Sequence, residues 1–224
     1  MRSTDAVTRH DLVWLEPFAR AEPAAAHAAE AHIIRRWITM GRPLVATRRR
    51  AETPSDHHAL GLPLPPCQGK RRIALYAPAD TVREVRPPPS LQQVIAAAPS
   101  DWQGPLRTLT EAAAGAGIGF RVFGSLAWQY LTGKPYVSAR SDVDLLWRPG
   151  GIGELRRGLE VLLDWEQRFG LRADGEIELP DGTGIAWREL AAKPRKVLVK
   201  ATTGVALTPL AELLRRFPVE PAAC

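Results

Sequence analysis

The sequence predicts an α+β protein of two domains: a C-terminal mixed sheet flanked by helices, preceded by a smaller α+β domain. Three observations predict this. From about residue 101 onward, segments with helical spacing of apolar residues alternate with short strand-like runs, the order in which helices pack on a sheet. From Pro43 to Arg86, short apolar runs alternate with Pro- and Gly-rich turns, the pattern of short strands. Between them stands Arg86-Pro87-Pro88-Pro89-Ser90, and three consecutive prolines continue neither a helix nor a central strand. The boundary is placed there, giving domains 1–88 and 89–224.

Taken in order, residues 23–40 read as a helix opened by Pro23, with Ile33, Ile34 and Trp37 at helical spacing and Gly41 just beyond. The run Arg72-Ile73-Ala74-Leu75-Tyr76 reads as a strand of the first domain. In the second domain, residues 101–115 read as a helix with Leu106, Leu109 and Ala113 on its inner stripe. Ile118 to Phe123 reads as a strand, and Gly124-Ser125 turns it into a helix that runs through Leu131. Asp142-Val-Asp-Leu-Leu-Trp147 is a strand, and 153–169 a helix with Leu155, Leu159, Leu162 and Leu163 on one stripe. Residues 171–179 alternate as a strand; the turn Pro180-Asp181-Gly182 leads to two more strand-like runs, 184–190 and 196–201, and a closing helix covers about 208–216.

The bulk numbers bound the function. A 224-residue chain with 45% hydrophobic and 24% charged residues has the balance of a globular protein. A net charge of +6 favours anionic partners (phosphorylated substrates, acidic proteins or nucleic acid). Much of it sits in the runs Arg48, Arg49, Arg50 and Lys70, Arg71, Arg72. The two cysteines, Cys67 and Cys224, have no metal-ligand spacing, which excludes a disulfide framework and points to a reducing compartment. The opening residues lack an apolar signal-peptide core, and no apolar run reaches the about 20 residues that cross a bilayer. A soluble, cytoplasmic protein is expected.

The chemistry concentrates in the second domain. Asp142 and Asp144 stand at i and i+2 of a strand, so both carboxylates leave one face, about 6.6 Å apart. Their neighbours Val143, Leu145 and Leu146 are apolar, which predicts a central strand. Two carboxylates held together in such surroundings repel, and a divalent cation relieves the repulsion. Mg²⁺, or Mn²⁺ in its place, binds through one or two carboxylates plus substrate phosphate oxygens, so the pair suits phosphate chemistry. The plainer reading is a strand end with solvated or Arg-paired aspartates.

Gly124-Ser125 lies at the strand-to-helix junction upstream. Gly124 permits close backbone approach, and Ser125 offers a hydroxyl and an N–H to a phosphate at a helix N-terminus; an ordinary N-cap is its plain alternative. A third carboxylate is expected from the next strand, where Asp174, Glu176 and Glu178 share one parity; Glu176 is favoured, then Asp174, then Glu178. Lys200 closes the apolar run Val197-Leu198-Val199 behind Lys193, Arg195 and Lys196, and reads either as a cation facing a phosphorylated substrate or as a strand-end lysine in solvent. His57 and His58 read as loop histidines, His10-Asp11 as structural, and Trp128 and Trp187 as core.

Gly-Ser, then a D-x-D strand, then a later acidic residue resembles the nucleotidyltransferase superfamily over about residues 105–200, with a longer gap between Ser125 and Asp142 than is usual. More specifically, Gly124-Ser-Leu-Ala-Trp-Gln-Tyr-Leu-Thr-Gly133, Tyr136-Val137 and Ser141-Asp-Val-Asp-Leu-Leu146 resemble the malonate decarboxylase holo-acyl-carrier-protein synthases. So do Arg9-His10-Asp11-Leu12, Asp174-Gly-Glu-Ile177 and Ala186-Trp-Arg-Glu-Leu190. The resemblance implies a nucleotidyltransferase-like fold and a phosphoribosyl-dephospho-CoA transferase, an enzyme that moves this group from triphosphoribosyl-dephospho-CoA to a serine of the apo acyl carrier protein subunit and releases pyrophosphate. It assigns the longer gap to the family's own version of the motif, and leaves the first domain's basic runs to dock an acidic carrier protein. Two other readings stay open: a generic metal-dependent nucleotidyltransferase acting on RNA, a metabolite or a protein, and a non-catalytic nucleic-acid-binding protein, for which no aromatic-basic motif is present.

Overall fold

The computed structural model describes residues 7–69, 71–201 and 204–218. The chain divides into two compact units, Met1–Pro88 and Pro89–Cys224. Each has its own six-stranded sheet, and the whole is mixed α+β.

The first unit contains strands β1 (Leu12–Leu15), β2 (Glu22–Pro23), β3 (Leu44–Ala46), β4 (His57–Pro63), β5 (Arg72–Pro78) and β6 (Val82–Arg86), with helix α1 (Ala31–Thr39) between β2 and β3. They order as β2-β5-β4-β3-β1-β6, every pair antiparallel. Strict alternation in β5 sends Ile73, Leu75 and Ala77 inward to join Leu44, Leu60 and Leu62, while α1 contributes Ile34, Trp37 and Ile38. The helix expected over 23–40 is shorter. Pro23 lies in a two-residue ladder with β5, where a missing N–H is tolerated at a sheet edge. A 3₁₀ segment follows, broken by the non-helical His27, and regular helix starts at Ala31.

The second unit contains α2 (Leu91–Val94), α3 (Ser100–Gly115), β7 (Arg121–Val122), α4 (Gly124–Thr132), β8 (Val143–Trp147), α5 (Ile152–Phe169), β9 (Ala173–Glu178), β10 (Gly184–Ala186), α6 (Trp187–Ala191), β11 (Lys196–Lys200), β12 (Val205–Pro209) and α7 (Leu210–Leu214). The sheet order is β12-β11-β10-β9-β8-β7; only β8 and β9, joined through α5, are parallel. Leu106, Leu109 and Ala113 of α3 join Leu155, Leu162 and Trp165 of α5 in one core with Val143, Leu145 and Trp147 of β8 and Ile177 of β9. The Trp165 indole donates to the Pro105 carbonyl at 2.7 Å, tying the two helices together. The opposite sheet face carries the acidic residues by alternation.

Four local expectations change. The strand expected over Ile118 to Phe123 is paired only at Arg121–Val122, although Ile118 and Phe120 are buried in the core. Leu163 is exposed, because the buried stripe of α5 runs through Leu155, Gly158, Leu162 and Trp165. The strand-like run 184–190 becomes a strand only to Ala186. Trp187 and Leu190, three apart, are both buried and seat as one helical face. The closing helix is preceded by β12, which pairs with β11 along its length and ends at Pro209, whose ring suits a helix start.

One glycine permits this sheet. Gly175 of β9 has φ +137°, and a Cβ there would fall 1.9 Å from the Leu145 carbonyl oxygen of β8. Backbone, not a movable side chain, blocks it. Gly175→Ala is expected to lower unfolding free energy by about 3 kcal/mol or more, read as the shift in a urea midpoint at unchanged m-value; a shift no larger than that of a surface alanine would mean the strands are not held this close.

Candidate active site

The site begins where β7 hands over to α4. Antiparallel pairing of β7 with β8 places Phe123 opposite Asp144, and the Phe123 N–H donates to the Asp144 carbonyl at 3.0 Å. The chain then turns at Gly124, with φ +66°, into the first residue of α4. A Cβ at Gly124 would lie 1.8 Å from Asp144 Oδ2 and 2.6 Å from its Cγ. The first turn of α4 therefore rests directly on the Asp144 carboxyl group, an approach only glycine allows. Phe123, not Ser125, is the N-cap residue, and no side chain caps this helix. The ordinary N-cap reading of Ser125 is thereby removed.

Asp142 immediately precedes β8. The first rung of the ladder to β9, from the Val143 N–H to the Arg172 carbonyl at 2.9 Å, starts one residue later, so the strand expected from Asp142 begins at Val143 and Asp142 stands at its entrance. Its carboxylate meets the exposed Arg172 guanidinium at 3.6 Å, too far for a hydrogen bond and worth little as a surface ion pair. Val143, Leu145 and Trp147 face the core, so the outward parity of Asp144 follows from burial of its neighbours.

The third-carboxylate strand runs parallel to β8, with Asp174 opposite Asp144 and Glu176 opposite Leu146. Asp174 Oδ1 accepts the Gly175 N–H at 2.8 Å. Glu176 is buried, and its Oε1 meets Lys200 Nζ at 2.7 Å. Glu178 pairs with Arg148 at the strand's far end. Of the three, Asp174 lies beside the Asp142/Asp144 pair, whereas Glu176 is spoken for by Lys200. Among the described residues, no three His, Cys, Asp or Glu side chains converge on a point that could hold a metal ion.

Residues that sequence reasoning missed fix β9. Glu166 of α5 accepts the Ala173 N–H at 2.6 Å and pairs with Arg188 of α6, which also donates to the Ala173 carbonyl at 2.6 Å. Both backbone groups of the residue before Asp174 are thus held by one ion pair. Gln129 does similar service for the long gap before Asp142. Its Oε1 accepts the N–H groups of Tyr136 and Val137, each at 3.0 Å, and its Nε2 donates to the Ala97 carbonyl at 2.6 Å. The Ser138 and Ser141 turn then delivers the chain to Asp142.

The remaining sequence candidates lie elsewhere. Trp187 is part of the core and Trp128 is buried with its ring 6.4 Å from Tyr136. Lys193, Arg195 and Lys196 are exposed. In the first unit, Asp11 is buried and accepts both the Thr8 N–H and hydroxyl, closing a turn. His57 leans on Asp56, and burial holds the His58 imidazole below the usual histidine range, with Arg49 and His57 charges adding to the shift. Arg49 hydrogen-bonds the carbonyls of Thr53, Pro54 and His57, so it closes a loop instead of facing a partner. Arg71 pairs with Glu30, and Lys70 lies outside the described residues.

Gly124→Ala forces either Asp144 or the start of α4 to retreat. Chemical denaturation is expected to register a loss of about 2–4 kcal/mol, combining the left-handed backbone cost with overpacking; a neutral effect would mean that the helix mouth does not rest on the carboxylate.

The Phosphoribosyl-dephospho-CoA transferase MdcG N-terminal domain matches residues 8–88, and the corresponding MdcG C-terminal domain matches residues 90–211. A phosphoribosyl-dephospho-CoA transferase of Xanthomonas campestris pv. campestris (strain 8004) is 41% identical over 215 residues, covering 96% of this chain and 99% of that protein. One from Bradyrhizobium diazoefficiens is 38% identical over 201 residues, covering 89% and 88%, and one from Azotobacter vinelandii is 30% identical over 207 residues, covering 88% and 91%. No solved structure matches. With both halves of the chain matched in order and the likeness running nearly end to end, the protein belongs to the phosphoribosyl-dephospho-CoA transferase family and is a transferase.

Proposed function

We propose that this chain transfers the phosphoribosyl-dephospho-CoA group from 2'-(5''-triphosphoribosyl)-3'-dephospho-CoA to a serine of the apo acyl carrier protein subunit of malonate decarboxylase, releasing pyrophosphate. The observation that carries the reading is the contact of the Gly124 backbone with the Asp144 carboxyl group, which sets a helix N-terminus and a carboxylate pair side by side. A helix mouth suits phosphate oxygens, and adjacent carboxylates suit a cation that neutralises them.

Asp142 and Asp144 fit a divalent ion: both carboxylates stand at the start of β8, Asp142 meets Arg172 only at 3.6 Å, and Asp174 lies opposite Asp144 on the neighbouring strand. When bound there, Mg²⁺ or Mn²⁺, in the two-ion arrangement, supplies charge neutralisation on the attacked phosphate and the departing pyrophosphate and lowers the pKa of the attacking hydroxyl. The chain's own residues do the positioning. The N–H groups of Gly124 and Ser125 and the Ser125 hydroxyl hold the outer phosphates at the start of α4. Lys200, on the same sheet face across β10, supplies a cation to the triphosphate. Carrier docking on the first unit falls to the exposed Arg48, Arg50 and Arg72, since Arg49 is engaged internally.

Incubation with apo carrier subunit and the triphosphate precursor is expected to add the prosthetic group to one serine, seen by mass spectrometry, with one pyrophosphate per adduct and none when ATP replaces the precursor. An ATP-derived adduct instead would reassign the enzyme to general nucleotidyl transfer. Asp142→Ala and Asp144→Ala are each expected to slow pyrophosphate release about 10³-fold with unchanged circular dichroism; near-normal turnover in either variant takes that residue out of the site.

A further inference from the structure

Glu176 has the parity of a metal ligand, yet its surroundings point to different work. Pairing of β9 with β10 sets Glu176 opposite Ala186 and Glu178 opposite Gly184, and Gly184 in turn faces Lys200 of β11. Residues in register share a face, so Lys200 and Glu176 lie on one side of the sheet, on strands two steps and about 10 Å apart. A lysine stem spans that gap only if nothing stands between. Here the intervening β10 positions on this face are Gly184 and Ala186, which put no bulk in its path. The result is the 2.7 Å contact between Lys200 Nζ and Glu176 Oε1, with 10% of the Glu176 side chain and 28% of the Lys200 side chain exposed.

Such a pair is poor evidence for stability, because desolvating both charges offsets their attraction. It does restrict where the ammonium sits. Lys200 belongs to a strand that is otherwise alternately buried and solvent-facing; its neighbours in parity, Lys196 and Leu198, are exposed. Without a carboxylate to draw it inward, its flexible stem would carry the charge to water. An ammonium also has three donors, so one bond to Glu176 leaves two for phosphate oxygens. Meanwhile Asp174, not Glu176, is the β9 residue opposite Asp144.

We infer that Glu176 is a positioning residue that draws Lys200 across β10 to the phosphate-binding face, and is not a ligand of the site's divalent ion. The inference rests on the phosphate-transfer reading above but names a role that reading leaves open.

The test uses the full-length protein, inorganic tripolyphosphate as the anion and Mn²⁺ as the ion, so that it does not depend on which coenzyme or acceptor is used. Lys200→Met and Glu176→Gln are each expected to weaken tripolyphosphate binding in calorimetry about tenfold or more, the scale of a lost charged hydrogen bond. The double variant should be no weaker than Lys200→Met alone. Mn²⁺ binding, followed by electron paramagnetic resonance without tripolyphosphate, is expected to be unchanged in Glu176→Gln and reduced in Asp144→Asn. In turnover with the triphosphate precursor, Glu176→Gln should raise KM more than it lowers kcat. Loss of Mn²⁺ affinity in Glu176→Gln comparable to that in Asp144→Asn overturns the inference, as does additivity in the double variant. Should the single Glu176 variant not fold, the uncharged double variant carries the same comparison: wild-type Mn²⁺ affinity supports the inference and lost Mn²⁺ affinity overturns it. The expected Mn²⁺ and tripolyphosphate results in these variants, with no carrier adduct formed by the unaltered protein, would instead fault the assigned substrate and leave the Glu176 role standing, whereas unchanged tripolyphosphate binding in Glu176→Gln overturns it.

Discussion

The structure of the site depends on one contact, that of the first residue of α4 with the carboxyl group of Asp144. A side chain at Gly124 would occupy the space of Asp144 Oδ2, and the left-handed turn that aims the helix is available at low cost only to glycine. The hydrogen bond from Phe123 to the Asp144 carbonyl fixes the same two elements from the backbone side. The positive end of the helix thus meets a carboxylate at van der Waals range, where the dipole acts most strongly. Phosphate and cation, each unwelcome beside one of these features alone, suit the two together.

A second constraint is the register of β9, which decides which acidic residue stands opposite Asp144. Gly175 lets β9 close on the Leu145 backbone, and the Glu166–Arg188 pair grips Ala173 on both of its backbone groups. A slip of one residue would send Asp174 and Glu176 into the apolar core and bring Gly175 and Ile177 to the acidic face. Burial of Ala173 and Ile177 opposes that slip, so register is determined jointly by packing and by the clamp.

Much of the positive charge does less at the surface than the composition implies. Arg49 is spent on three loop carbonyls, Arg188 on the β9 clamp, Arg71 on Glu30 and Lys200 on Glu176. Net charge reports on the far field around a protein, whereas each of these side chains acts over a single contact. The runs of arginine in the sequence are therefore not interchangeable members of one basic patch.

The periodicity of apolar residues by itself determined the α+β plan, the helices over 101–115 and 153–169 and the parity of Asp144 against its apolar neighbours, because these rest on near-neighbour geometry along one element. The Gly-Ser step and the D-x-D strand were legible for the same reason. What stayed hidden involved contacts between elements distant in the chain. Trp187 leaves its strand because the core can bury it together with Leu190 only as a helix turn. Ser125 leaves the capping role because Phe123 is where the backbone departs from β7. Whether Asp174 or Glu176 neighbours Asp144 was undecidable from spacing, since all three acidic residues of β9 share a parity. Only the pairing of β8 with β9, and the reach of Lys200 over a glycine and an alanine, separates their surroundings.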